Sequence, residues 1–196
     1  MREALILASA SPRRSQLLRA AGIHFEVQPA EVDETPEPAE PADAYVVRLA
    51  REKAEAVARQ RPEQVVLGAD TTVVVDGRIL AKAETPDEAR AMLEALAGRD
   101  HEVLTGVALA GPAGTVADLA RTTVSFAPVT SEDIDAYLAT DEWRDKAGAY
   151  AIQGRASAFV TALHGSYTNV VGLPVSLVCA LLMRYPEGQG AVRSTP

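Results

Sequence analysis

The stretch from Val65 to Val75 constrains this chain more than any other part of it. It reads Val-Val-Leu-Gly-Ala-Asp-Thr-Thr-Val-Val-Val. Its β-branched residues and length predict a strand of a sheet. Near its middle stands Asp70. A carboxylate inside a β run is unfavourable unless something cationic meets it, because burial strips its hydration. A competing reading puts Asp70 in a bulge or turn, capping its own backbone, with Gly68 two residues earlier.

The surroundings of that strand predict an α/β protein. Ala4 to Ala8 is a short apolar strand. Ser11 and Pro12 start a helix that runs to about Ala21 and stops at Gly22. Phe25 to Gln28 is a second strand, and Pro29 to Pro41 is a loop rich in proline and acid. A long amphipathic helix covers about Ala42 to Arg61. Asp76-Gly77 is a hairpin signal leading into Arg78 to Lys82. Thr85-Pro86-Asp87-Glu88 is a capping box for the next helix. Glu102 to Ala110 and Thr115 to Phe126 read as a long hairpin around Gly111 to Gly114. Thr130 caps a helix to about Ala139. Ala156 to Leu163 is a strand, and Pro174 opens the last helix. Strands alternating with helices, with a hairpin in the middle, predict a mixed twisted sheet with flanking helices. The 196 residues fit a single domain over 1–185, with a loose tail over 186–196.

Asp70 is not the only charge out of place. On the helix from Ala42, Tyr45, Val46, Leu49, Ala50, Ala56 and Val57 share one face, and Arg48, Arg51, Glu52, Glu55 and Arg59 the other. Lys53 falls near the middle of the apolar face. A core lysine needs a partner, or must snorkel out along its stem. Lys82 closes the hairpin strand, where the Asp76-Gly77 turn can return it towards Asp70. Ser9-Ala10-Ser11-Pro12-Arg13-Arg14 lies where a strand ends and a helix begins. Free backbone N–H groups and the helix dipole favour an anion there, and Arg grips phosphate with two bonds. A plain Ser-Pro cap with exposed arginines is the alternative. Glu34, in the acidic loop, is a candidate second carboxylate. Lysines, arginines, helix-end amides and two carboxylates suit a polyphosphate held with a divalent metal, Mg²⁺ first, Mn²⁺ or Co²⁺ next.

Other classes fall away. A net charge of −8 repels nucleic acid and anionic membrane, so neither is expected as a partner. One cysteine, Cys179, allows neither a disulfide within the chain nor a zinc cluster. No phosphate-binding G-x-x-x-x-G-K-[ST] and no G-x-S-x-G elbow occur. His24, His101 and His164 are scattered. No apolar run approaches the roughly 20 residues that span a bilayer, and Met1 to Ser9 lacks a signal-peptide layout. A cytoplasmic protein is the expectation.

Five blocks then resemble one family. They are Leu7 to Arg14; Arg51-Glu52-Lys53-Ala54; Gly68-Ala69-Asp70-Thr71; Asp145-Lys146-Ala147-Gly148-Ala149-Tyr150-Ala151-Ile152-Gln153-Gly154; and Gly165-Ser166-Tyr167 with Asn169 to Pro174. In this order they resemble the Maf family of nucleoside triphosphate pyrophosphatases. The resemblance implies a fold like that of the inosine triphosphate pyrophosphatases, with two lobes around a deep cleft. It implies metal-dependent hydrolysis of a nucleoside triphosphate substrate between the α and β phosphates, and a homodimer by analogy. It makes Asp70 the proton acceptor for the attacking water, with Asp70 and Glu34 as metal ligands. Ser9, Arg13, Arg14, Glu34, Lys53 and Lys82 match the polar residues of the family's cleft. Arg13, Thr71 and Gln153 match the subgroup acting on dTTP and UTP. The alternatives are 7-methyl-GTP as substrate, and a nucleotide-binding regulator of septum formation. Ala83 stands where the family commonly has Pro after Lys82.

Overall fold

In the computed structural model, residues 4–186 are described. The expected loose tail lies, beyond Pro186, outside the described residues.

Seven strands form one mixed sheet: β1 Leu5–Leu7, β2 Phe25–Val27, β3 Val66–Val75, β4 Arg78–Leu80, β5 Asp100–Gly111, β6 Gly114–Phe126 and β7 Val160–His164. Their order is β2-β1-β3-β5-β6-β7, with β4 paired to β3. β1 runs parallel to β2 and β3, whereas β4 is antiparallel to β3 and β7 to β6. The helices are α1 Pro12–Ala20, α2 Ala42–Ala58, α3 Pro86–Leu96, α4 Ser131–Leu138, α5 Tyr167–Val171 and α6 Val175–Arg184. The expected α/β class with a mixed sheet is what the chain adopts. Among the described residues no helix is long and apolar enough to cross a membrane.

Local chemistry accounts for most element ends. Asp76 and Gly77 have φ of 50° and 73°, the left-handed pair that a two-residue hairpin turn requires. Thr130 and Asp133 form a reciprocal capping box at α4. At α3 only half of the predicted box forms. Thr85 accepts from the Glu88 N–H, but the Glu88 carboxylate takes the Glu84 N–H instead. One expectation is corrected. The segment predicted as a strand from Ala156 begins as a 3-10 turn over Arg155–Phe159, and only β7 is extended. Gly154 accepts from the Ser157 N–H and starts the turn before the sheet can claim the segment.

The described residues group into two compact units. The first holds the chain up to Asp70, Thr105–Ala120 and the residues from Gly172 on. Of its strands, β1, β3 and β5 are buried on both faces, which explains their unbroken apolar runs. Alternate side chains feed different cores. Leu5, Leu7, Leu67, Ala69, Val107 and Leu109 pack with Leu18 of α1 and Val178 and Leu182 of α6. Ile6, Ala8, Val66, Ala108 and Ala110 pack with Ala50, Ala54 and Val57 of α2. The two-residue period puts Gly68 and Asp70 on the α2 side with Val66. The second unit holds Thr71–Leu104 and Arg121–Val171. Its core gathers Val73, Val75, Leu93, Leu96, Phe126, Tyr137, Trp143 and Tyr150.

Gly68 is part of β3. A Cβ on it would run into the Ala50 carbonyl oxygen and the Ala54 backbone nitrogen. A Cβ on Gly106 of β5 would meet the Val46 carbonyl in the same way. These glycines let the α2 backbone settle directly onto the strands, which places the side chains of α2 within reach of Asp70.

Candidate active site

The first unit brings three of the predicted charges together. Lys53, on α2, and Asp70, near the middle of β3, are each 8% exposed. Lys53 Nζ donates to Asp70 Oδ1 at 2.6 Å. The same ammonium lies 2.6 Å from Glu34 Oε1. Both halves of the sequence argument meet here: the lysine on an apolar helix face and the carboxylate in a β run are each other's partner. Glu34 joins them from the loop between β2 and α2, with its side chain still 46% exposed.

Ser9, Ser11 and Arg14 form a second group where β1 leads into α1. Ser11 sits at the N-cap of α1 with Pro12 behind it, as predicted, but its hydroxyl makes no capping bond. Ser9 does more. Its Oγ accepts from the Ser11 N–H at 3.2 Å and from Arg14 Nη1 at 3.1 Å. Arg14 Nε donates to the Gly172 carbonyl at 2.9 Å. Burial lowers the Arg14 pKa, the charges of Asp70 and Glu34 raise it, and Arg13 lowers it again. The helix start and the Lys53 cluster therefore share one electrostatic field. The first-turn amides of α1 have no partner within the helix, so that field includes a helix-end anion site.

Thr71, Lys82 and Gln153 belong to the second unit. Thr71 follows Asp70 on β3 and is half-buried. Lys82 is exposed and forms an antiparallel bridge with Ala147. The Gly148 N–H adds bonds to the Leu80 and Ala81 carbonyls at 3.0 and 3.2 Å. The segment ending in Lys82 is thus stitched to the Asp145–Gly154 block, and Ala83 is buried behind it. Gln153 is exposed in the turn before Gly154. Glu142 Oε2 accepts from the Arg155 N–H at 2.8 Å, and a Cβ on Gly154 would strike that carboxylate.

Two contributors escaped the sequence reading. The Tyr45 hydroxyl donates to the Glu34 carbonyl at 2.9 Å. Burial and the nearby charges of Asp70 and Glu34 push its pKa up to about 12, so it remains a proton donor. Arg48 Nη2 donates to the Thr35 carbonyl at 3.2 Å. Tyr45 and Arg48 are three residues apart on α2, a spacing that makes them neighbours on a helix surface.

Among the described residues no group of three or more His, Cys, Asp or Glu side chains could hold a metal ion. Two carboxylates, Glu34 and Asp70, both meet the Lys53 ammonium and so stand beside one another. That donor set fits a Mg²⁺-type ion, which takes one or two carboxylates and completes its shell with substrate phosphates and water. It does not fit a closed protein cage.

The model of the family described as Maf-like protein matches residues 4–185. The chain belongs to that family. Among its Maf-like relatives, the dTTP/UTP pyrophosphatase of Myxococcus xanthus is 50% identical over 180 residues, covering 92% of this chain and 91% of the relative. The dTTP/UTP pyrophosphatase of Koribacter versatilis is 48% identical over 180 residues, covering 92% and 93%. Among solved structures, the Staphylococcus aureus Ham1 protein matches with a TM-score of 0.55 at 15% identity, covering 93% of this chain and 99% of that one. At that identity the likeness concerns the fold alone, and it agrees with the mixed sheet described above.

Proposed function

We propose that this Maf-like chain hydrolyses dTTP and UTP to the nucleoside monophosphate and pyrophosphate. The Lys53–Asp70–Glu34 cluster carries the reading, and relatives bearing that activity in their names at about half identity support it. A charge cluster of this kind, electrostatically coupled to a helix start with Arg14, suits a triphosphate better than a neutral or cationic ligand.

In this reading Asp70 accepts a proton from the attacking water. The water oxygen bonds to the α-phosphorus, the bond from that phosphorus to its bridging oxygen breaks, and pyrophosphate leaves with the electron pair. Arg13, Arg14 and the first amides of α1 hold phosphate oxygens, with Ser9 fixing the Arg14 guanidinium in place. Lys53 offsets the charge of the two carboxylates, and Lys82 is the further cation assigned to the phosphates. Glu34 and Asp70 would hold a divalent cation, which would supply positive charge to the phosphates and acidify the attacking water. Thr71 and Gln153 select the base. The Gln153 amide both donates and accepts, as a uracil or thymine edge demands.

A nucleotide panel with product identification tests the proposal. Pyrophosphate from dTTP and UTP in the presence of Mg²⁺, at rates above those for 7-methyl-GTP, is the expected result. Release of orthophosphate alone, or tight binding without turnover, would overturn it.

A further inference from the structure

Glu34 poses a positioning problem. No helix or strand lies between Val27 and Ala42, so its carboxylate comes from a long irregular segment. Proposed metal ligands are useful only if held within a fraction of an ångström, which loops seldom achieve without outside support. Residues of α2 give the segment such support. Tyr45 donates to the carbonyl of Glu34 itself. Arg48 donates to the carbonyl of the next residue, Thr35, and the Thr35 N–H closes a turn onto Asp33 Oδ1 at 2.9 Å. The backbone on both sides of the Glu34 side chain is thereby fixed.

Arg48 is itself held firmly. Its Nε and Nη2 both lie 2.7 Å from the two oxygens of Glu40, a fork on a fork. The Glu40 side chain is only 7% exposed and also accepts the Glu37 N–H at 3.0 Å. Arg48 Nη1 reaches back to Glu52 at 3.3 Å along the helix. One arginine therefore ties together the loop after Glu34 and the helix that carries Lys53. Ordinary fold stability does not require this arrangement, because the loop contributes few apolar side chains to the cores of its unit.

We infer that Tyr45 and Arg48 are positioning residues for the Glu34 carboxylate, and that they set the affinity of the site for its divalent cation. The inference rests on the reading of Glu34 as a metal ligand. It assigns to α2 two tasks: Lys53 carries the counter-charge, and Tyr45 and Arg48 hold the opposing loop in register with it.

The test is Mn²⁺ binding, followed by the electron paramagnetic resonance signal of the free ion, with a non-hydrolysable α,β-methylene dUTP present. Tyr45→Phe keeps the ring and removes one hydrogen bond. It should weaken Mn²⁺ binding about fivefold, the worth of a typical hydrogen bond. Arg48→Met should weaken it by about tenfold or more, and Arg48→Lys, which keeps the charge but not the fork, should restore part of the loss. Urea midpoints of Tyr45→Phe should stay near wild type, which separates positioning from folding and keeps the test alive if Arg48→Met is unstable. Glu34→Gln is the reference. If Glu34→Gln weakens Mn²⁺ binding while Tyr45→Phe and Arg48→Lys leave it unchanged, the positioning role is overturned. If Glu34→Gln itself leaves Mn²⁺ binding unchanged, the metal reading of Glu34 fails, and this inference falls with it.

Discussion

Lys53 Nζ lies 2.6 Å from Asp70 Oδ1, and helix and strand bury both side chains. Breaking such a pair leaves the surviving charge without compensation, so each partner is exposed to the loss of the other. The chemistry assigned to Asp70 and the stability of the first unit are therefore linked through one contact.

Asp70→Asn tests the chemical role. The amide keeps the shape and can still accept from Lys53, but it cannot take a proton from water. Turnover should fall by about 10²–10⁴-fold, the usual share of a general base. Nucleotide binding, measured by titration calorimetry, should survive. A rate close to wild type would remove Asp70 from the role of proton acceptor.

Gly68→Ala should act on the same pair from a distance. The new methyl meets the Ala50 carbonyl, which belongs to a helix backbone and has little room to yield. Overpacking of this kind costs about 1–3 kcal/mol. The expected result is a lower urea midpoint together with a lower turnover number, since any lift of α2 carries Lys53 away from Asp70. Full activity with unchanged stability would show that α2 and β3 are not in such close register.

His101 predicts how the second unit responds to acid. It is 2% exposed, its Nε2 lies 2.8 Å from the Tyr150 hydroxyl, and its Nδ1 has no hydrogen-bond partner. Burial pushes its pKa down from the ordinary 6.5 to about 4, with Asp100 opposing. Below pH 6.5 the unfolded chain binds this proton and the folded chain does not. The stability conferred by the neutral ring is complete above pH 6.5 and is lost as the pH falls towards 4, at no more than about 1.4 kcal/mol per pH unit. Urea midpoints of wild type should drop more between pH 7 and pH 4.5 than those of His101→Gln. Parallel curves would show that His101 does not titrate in this range.

Gln153→Glu tests base selection. The substitution replaces an amide donor with a carboxylate that can only accept. The ratio kcat/KM should fall for both dTTP and UTP, mainly through KM, because Gln153, exposed in its turn, is assigned to the base and not to the reacting phosphate. Equal constants for the two proteins would take Gln153 out of the specificity set.

Much of this was legible before any coordinates, for a physical reason. Charge in an apolar pattern is costly, so Lys53 and Asp70 stood out as residues that needed partners, and they proved to be each other's. The hairpin at Asp76-Gly77 and the α4 cap were equally legible, because left-handed turns and unpaired helix amides demand particular residues. What could not be read depended on distance in space. Gly68 suggested a bulge, since nothing in a linear pattern reveals that a helix backbone presses against it. Arg48 lay on what read as the polar face of α2, and its partner Glu40 lay in a loop with no periodicity to fix its position. The 3-10 turn after Gly154 was hidden by residues that suit a strand equally well.

The bare glycines under α2 also govern how the amide hydrogens of this region meet solvent. With the helix backbone seated on Gly68 and Gly106, no water layer fits between helix and strands. The strand amides there can exchange with deuterium only when the helix leaves as a whole, which makes them reporters of global rather than local opening. The proposed proton acceptor and its lysine are thus expected in a slowly exchanging part of their unit.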